Sequence, residues 1–223
     1  MKTDKTVNIL HYLAGLPKSI YVNFRLLPFK DAVKLPIIVS RKTKLSCLNG
    51  KVNLEKNRTG IIRIGFGNVR LVDFAYERTI LHIEGTVTFQ GKCKIGKASK
   101  IEVGKKGMLV IGENFLISAK SKLICHKQIT IGKDCVFAWD SLIMDTDYHE
   151  IYDHDSNIIN EDRAITIGNK VWIGTRSTVL KGASIPDNTI IAANSLITKA
   201  YHTTDTILAG SPAKIIKENI TWK

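Results

Sequence analysis

The stretch MDTDYHEIYDHDSNIINEDRA, residues 144–164, concentrates side chains that can move protons. It holds five Asp, two Glu and two His, the latter at positions 149 and 154. An imidazole titrates near neutrality and can take the proton of a hydroxyl as that oxygen attacks, an effect on the order of 10²–10⁴-fold. Such a base needs its second ring nitrogen held by an acceptor, which fixes the tautomer and stabilises the imidazolium. Asp145 and Asp147 are near His149 in sequence, and either could be that acceptor; each could equally be a turn-former bound to its own backbone. The H-x₄-H spacing of His149 and His154 also admits zinc, but a catalytic zinc site takes three protein ligands. The nearest upstream histidine, His126, is 23 residues before His149, so no metal is expected. Cys47, Cys93, Cys125 and Cys135 form no CxxC pair. They are too sparse for a disulfide scaffold and read as reduced, mostly buried thiols.

The elements that position this stretch announce themselves by a period of six. Ile167, Ile173, Val179, Ile185, Ile191 and Ile197 recur at that spacing, and Val171, Ser177, Ala183, Thr189 and Ser195 each follow an aliphatic by four places. Upstream the period runs through Ile111, Ile117 and Leu123, then resumes two residues late at Ile131, Phe137 and Ile143. Six fits neither a 3.6-residue helix nor an isolated amphipathic strand. It fits a β-solenoid of short straight segments and tight corners, three hexads making one triangular coil of about eighteen residues. The aliphatic points inward and stacks on its equivalent; the small residue sits where a larger one would overfill the core. Ile143 and Ile167 are four hexads apart, yet residues 144–166 lack the repeat and are expected to be a loop extruded between stacked coils.

Residues 41–211 are therefore read as solenoid, with IIRIGFGNVRLV and ILHIEGTVTFQGKCKIG as early coils with distorted corners. Residues 1–40 are expected to be a helical or irregular cap, with one or two short helices broken near Pro17 and Pro28. That cap either covers the open edge of the first coil or lies on a membrane with Lys18, Arg25, Lys30 and Lys34 towards lipid headgroups; capping is the favoured reading. Residues 212–223 are expected to close the other end as a short basic helix or extended tail.

With 44% hydrophobic and 24% charged residues, the 223-residue chain is globular and neither disordered nor collagenous. Lys plus Arg is 33 against 20 Asp plus Glu, a net charge of +13 that favours an anionic partner. The basic residues are dispersed and carry no binding motif, so nucleic acid is not expected. Apolar runs are too short for a membrane span, and Asp4, Lys5 and Asn8 interrupt any secretory h-region. A cytoplasmic location is expected.

MDTDYH (144–149), ITIGNKVWIGTRSTVLKGASI (165–185), AANSLITKA (192–200) and AGSPAKIIK (209–217), in this order, resemble the hexapeptide-repeat acyltransferases. The nearest subgroup is the O-acetyltransferases of capsule, lipopolysaccharide and other glycans, related to the galactoside, maltose and serine acetyltransferases. IYVNFRLLPF and KLPIIV resemble the N-terminal segment of the glycan subgroup more weakly. The resemblance implies a left-handed parallel β-helix, a homotrimer, and acetyl-CoA bound in a groove between subunits. It implies direct attack of a saccharide hydroxyl with His149 as general base, and the backbone N–H of Thr175 as oxyanion donor. Ala193, Thr198 and Lys199 would line the path of pantetheine and pyrophosphate. Lys214 and Lys217 fall where galactoside-type relatives carry arginines near the nucleotide phosphates, although lysine lacks the guanidinium fork. Trp172 either faces the groove or fills a corner. Ser118 and His126 fall at sugar-contacting positions of those relatives, and Tyr148, Tyr152 and Arg163 could meet a glycan by stacking and charge. Three other readings are an N-acetyltransferase acting on an amino-sugar nucleotide, a non-catalytic scaffold, and a zinc site like that of the γ-class carbonic anhydrases. The last needs a third histidine where this sequence has Glu113.

Overall fold

The computed structural model describes residues 3–67, 69, 72, 73 and 76–223, with side chains of the first helix given from His11 onward. Residues 1 and 2 of the expected cap, and Asn68, Arg70 and Leu71 of IIRIGFGNVRLV, lie outside the described residues. The chain begins with α1 (Thr3–Leu26) and α2 (Phe29–Ala32). Short strands then follow: β1 (Ile37–Val39), β2 (Lys44–Leu48), β3 (Lys51–Leu54), β4 (Ile62–Ile64), β5 (Ile80–Ile83), β6 (Thr86–Phe89), β7 (Cys93–Ile95) and β8 (Lys100–Val103). The middle coils hold β9 (Met108–Ile111), β10 (Phe115–Ile117), β11 (Lys122–Cys125), β12 (Gln128–Ile131), β13 (Val136–Phe137), β14 (Leu142–Met144) and β15 (Ile165–Ile167). The last are β16 (Trp172–Ile173), β17 (Thr178–Leu180), β18 (Ser184–Ile185), β19 (Ile190–Ile191), β20 (Leu196–Ile197), β21 (Ile207–Gly210) and β22 (Ala213–Lys217).

Up to β20 every third strand pairs, so the chain winds into a three-sided prism, and β21 then joins β19. One sheet runs β1-β4-β7-β10-β13-β16-β19-β21-β22, a second β2-β5-β8-β11-β14-β17-β20, and a third β3-β6-β9-β12-β15-β18. All pairs are parallel except β21 with β22. Parallel strands joined by tight corners cannot bond to their chain neighbours, so each coil satisfies its backbone on the coils above and below. The core is a set of aliphatic columns, such as Ile117 on Phe137 on Ile173 on Ile191. The irregularity before Ile111 is one of coil length. Ile95 and Ile117 stack although 22 residues apart, and Ile117 and Phe137 although 20 apart, against 18 for Ile173 and Ile191. The longer coils carry four-residue strands with two inward side chains, as in β11 and β12.

The small residues of one corner do more than avoid overfilling. Ser99, Ser121, Ser141, Ser177 and Ser195 form a buried column. Ser99 donates to the carbonyl of Ser118 (2.7 Å), Ser121 to that of Ala138 (3.0 Å) and Ser177 to that of Ala192 (2.8 Å), each one coil further on. These hydroxyls tie successive corners together.

The two ends are closed in different ways. α1 is one helix that runs through Pro17, not two helices broken there. Pro17 and Leu13 both lie on the exposed side, so the carbonyl that loses its partner faces water and the helix continues. The chain does turn at Pro28, between α1 and α2. α1 covers the free edge of β1 with side chains. Asn23 accepts from the N–H of Ile37 (3.1 Å) and donates to its carbonyl (2.6 Å), while Ser19 accepts from the N–H of Val39 (2.9 Å). Gly15 permits this approach: a Cβ there would stand 2.3 Å from the Val39 carbonyl oxygen. β1 lies inside the segment assigned to the cap, so the solenoid begins at Ile37. Of the two forms expected for the basic tail the chain takes the extended one: it forms β22, antiparallel to β21, and then folds back until the Trp222 indole N–H reaches the Lys170 carbonyl (2.9 Å).

The excursion between β14 and β15 is rooted by Asp145. Its buried carboxylate accepts from the N–H groups of His126 (2.7 Å) and Lys127 (3.0 Å), and its carbonyl accepts from the N–H of Arg163 at the far end of the loop (3.3 Å). An amide in place of this carboxylate keeps one acceptor and turns a donor onto a donor. Asp145→Asn is expected to cost roughly 1–3 kcal/mol in urea unfolding and to speed native-state proteolysis within residues 146–163. The thiols give a second check. Burial pushes Cys125, beside Asp145, and Cys135 up to about 12, and raises buried Cys93 as well, whereas Cys47 is only half-buried. A disulfide exchange reagent is expected to titrate one thiol in the native protein and four after denaturation.

Candidate active site

The loop that carries His149 is built, not loose. Tyr152 and Ile158 form an antiparallel bridge, and the Asp153 carboxylate caps the tip by accepting from the N–H groups of Asp155 and Asn157, each at 2.9 Å. Those bonds, from Asn157 first, hold the Asp153 carboxyl below the usual range. Asn160 clamps the base of the hairpin: its amide donates to the His149 carbonyl (2.8 Å) and to Asp147 (3.0 Å), and accepts from the N–H of Ile151 (2.6 Å). Lys181, arriving from the turn after β17, pairs with Asp147 and donates to the Asn160 carbonyl. Bonds from Lys181 and Asn160 hold the Asp147 carboxyl low.

The result is a fixed backbone at His149 with an exposed imidazole that makes no hydrogen bond or ion pair among the described residues. Neither carboxylate expected to orient it does so. Asp145 is spent on two backbone N–H groups and Asp147 on Lys181 and Asn160. Both serve the loop that presents the histidine. His154 lies at the hairpin tip, five residues beyond His149.

Beside the loop, on the face of β8 and β11, stands a polar cluster. Glu102 accepts from the Tyr148 hydroxyl (2.9 Å) and lies 3.0 Å from the His126 ring nitrogen, with the two rings edge-on at 4.9 Å. Burial alone would raise the Glu102 carboxyl, but the bonds from His126 and Tyr148 outweigh it and hold it low. Tyr148 is raised by burial and by that same carboxylate. The stripe continues to His82, Glu84 and Cys47, whose donor atoms lie within 4.8 Å of one another, where the register of β2 on β5 shifts between Leu45 and Cys47.

A groove of about 520 Å³ opens along the first sheet and its corner with the second. Trp139, Thr175 and Ala193 line it from equivalent corner positions in three consecutive coils, each followed by a residue of positive φ: Asp140, Arg176 and Asn194. Ser118 and Trp172 also line it. Thr175 donates its hydroxyl to the Trp139 carbonyl (2.8 Å), and its N–H pairs with nothing among the described residues. Trp172 faces this groove, with the Trp222 ring centroid 6.0 Å away.

Of the residues singled out from sequence, the chain thus gathers Ser118, Trp172, Thr175 and Ala193 on the groove, and His126 with Tyr148 beside the loop. Arg163 lies at the loop exit over Gly182. Thr198 and Lys199 follow β20 of the second sheet, while Lys214 and Lys217 stand exposed on β22, two strands beyond β19 of the groove. Trp139 was not anticipated, though it holds the corner slot that Thr175 holds one coil on. Glu102, Asn160 and Lys181 had no signal in the repeat, because their partners are set by coil lengths.

Residues 164–199 match the family described as bacterial transferase hexapeptide, six repeats. Over 207 residues the chain is 27% identical to an uncharacterized 24.8 kDa protein in the cps region of Klebsiella pneumoniae, covering 91% of this chain and 88% of that protein. Over 135 residues it is 37% identical to the polysialic acid O-acetyltransferase of Escherichia coli O1:K1 / APEC, covering 58% of this chain and 44% of that relative, so the match spans less than half the relative's length. Among solved structures, the polySia specific acetyltransferase NeuO superposes with a TM-score of 0.53 at 26% identity, over 83% of this chain and 74% of that one. Repeat, coil geometry and relatives agree: residues 164–199 carry the repeat of the bacterial hexapeptide transferases, and the chain folds as a left-handed parallel β-helix.

Proposed function

We propose that the protein is an O-acetyltransferase that moves an acetyl group from acetyl-CoA to a hydroxyl of a saccharide. The observation that carries this reading is His149: an imidazole without a partner among the described residues, on a backbone clamped by Asn160 and Asp145-anchored ends. The relatives named above with an assigned activity are consistent with it: one is a polysialic acid O-acetyltransferase and the other a polySia specific acetyltransferase. The apolar groove suits the pantetheine arm of the donor in size, at about 520 Å³, and in its tryptophan lining. Lys214 and Lys217, in the same sheet, would meet the nucleotide phosphates, and Thr198 and Lys199 would contribute from the neighbouring corner.

In this mechanism the acceptor oxygen attacks the thioester carbonyl while His149 takes its proton. The oxyanion that forms is met by the Thr175 N–H. The adduct then expels the thiolate of coenzyme A, and the imidazolium returns its proton to that sulfur. His126 and Tyr148, set by Glu102, and Arg163 would position the sugar. Acetyl-CoA as donor implies work in the cytoplasm.

The groove lies at the corner between the first and second sheets, whereas the His149 loop leaves between the second and third. The width of the second sheet separates them within one chain. A homotrimer in which the loop of one copy faces the groove of the next would unite them.

His149→Ala is expected to lower kcat about 10²–10⁴-fold with the KM for acetyl-CoA unchanged; retained kcat would remove His149 as the base. Mixing His149→Ala subunits with Trp172→Asp subunits after reversible dissociation is expected to restore activity, because some interfaces then join an intact loop to an intact groove. No recovery in verified mixed oligomers would place each site within a single chain.

A further inference from the structure

The first helix is polarised the wrong way round for a helix that docks on a hydrophobic core. Such a helix normally buries its apolar stripe. α1 instead spends Gly15, Ser19 and Asn23 on the edge of β1, with Val22 and Leu26 alone beside them in the core among the described side chains of the helix. Its opposite side carries Leu13, Leu16, Ile20 and Phe24, at i, i+3, i+7 and i+11, all exposed. The Phe24 and Phe29 rings meet edge-on at 5.7 Å and continue this surface into α2, where Phe29 is 75% exposed. Contiguous apolar surface of this kind is normally covered.

Charge around the stripe has one sign. Residues 11–45 hold seven Lys or Arg and a single acidic residue, Asp31, which accepts from Asn57 (2.8 Å). Lys30 and Lys34 stand exposed beside Phe29 and Val33. On the other flank, Lys18, Arg41, Lys44 and Arg78 line an open cleft of about 550 Å³. Lys18 is pinned there by donating to the carbonyls of Arg41 (2.8 Å) and Thr43 (2.6 Å). Burial, and then the charges of Arg78 and Arg41, pull its ammonium below the usual lysine range. Gathering like charges in this way is unfavourable until an anion joins them. No described helix is long and apolar enough to cross a membrane, so a lipid contact here would be an interfacial one.

We infer that α1 and α2 form a docking surface for an anionic phospholipid bilayer. The stripe from Leu13 to Phe29 enters the boundary between headgroups and acyl chains, and the basic flanks meet the lipid phosphates. A second copy is the competing occupant, but an isologous contact would set these cations against their own equivalents, which is costly, and the trimer proposed above joins copies through the His149 loop and the groove instead of through this helix. The surface sits at the first coil. Four coil-to-coil steps separate β2 from β14, roughly 20 Å along the prism axis, so membrane contact and the His149 loop are distinct features.

The test is co-sedimentation of the full chain with vesicles of phosphatidylcholine alone and of phosphatidylcholine mixed with phosphatidylglycerol. Binding is expected to the mixed vesicles, at least tenfold stronger than to phosphatidylcholine and weakening as salt rises. The Ile20→Glu/Phe24→Glu variant leaves Ser19 and Asn23 in place and is expected to lose at least tenfold in binding, with its oligomeric mass and turnover of a soluble acceptor unchanged. Lys30→Glu/Lys34→Glu, which alters only exposed charges, is expected to lose binding similarly and serves if the first variant does not fold. Absence of binding to the mixed vesicles, or binding that neither variant weakens, would overturn the proposal. So would a change in oligomeric mass in the Ile20→Glu/Phe24→Glu variant, which would assign the face to another copy of the chain.

Discussion

Everything in this molecule depends on coils stacking in parallel register. A strand of two to five residues has no stability of its own, and its neighbours in sequence turn away at the corners. Its backbone groups are satisfied only by the coil before and the coil after. The serine column enforces that register at one corner, where the buried hydroxyls of Ser99, Ser121 and Ser177 reach the carbonyl of the next coil. The residues of positive φ that close the same corner, Ala98, Lys120, Asp140, Arg176 and Asn194, are not glycines. A left-handed backbone is unfavourable for them, and it persists because the stack bonds it: Asp140 donates to Ala119, Arg176 to Trp139 and Asn194 to Thr175.

That constraint explains why the groove and the loop occur where they do. A solenoid presents equivalent positions at one-coil intervals, so a row of corner residues becomes a continuous lining without any further device. Trp139, Thr175 and Ala193 are such a row. An insertion is tolerated at a corner provided that the strands on either side keep their partners. The excursion between β14 and β15 meets this condition: β14 still pairs with β17 and β15 with β18, while Asp145 binds the turn of the preceding coil. The loop is therefore held by the coil it leaves, and the His149 backbone is fixed by that scaffold.

Stacking also leaves two open ends, and the chain treats them differently. At the C-terminal end β22 reverses direction and pairs with β21, while the tail returns to the corner near Lys170. At the N-terminal end Ser19 and Asn23 supply hydrogen bonds to β1 in place of a neighbouring strand. Because the polar residues of α1 are used inward, its apolar ones are left outward, and the exposed stripe follows from how the edge is capped.

The six-residue period from Ile111 to Ile197, and its interruption after Ile143, by themselves determined the solenoid architecture and the place of the loop, while Thr175 and Ala193 were singled out by the resemblance. The architecture and the loop follow from local spacing, since one inward aliphatic per strand is a rule that a linear chain can carry. Only the tertiary structure decided what each charged side chain meets. Asp145 finds its donors 18 and 19 residues back, Asp147 binds Lys181, and Tyr148 reaches Glu102 across 46 residues. Those distances depend on coils of 20 to 22 residues and on a hairpin whose lengths the hexad does not encode. The continuity of α1 through Pro17 was likewise settled by its surroundings: a proline removes one helical hydrogen bond, and water takes the freed carbonyl when that side of the helix is exposed.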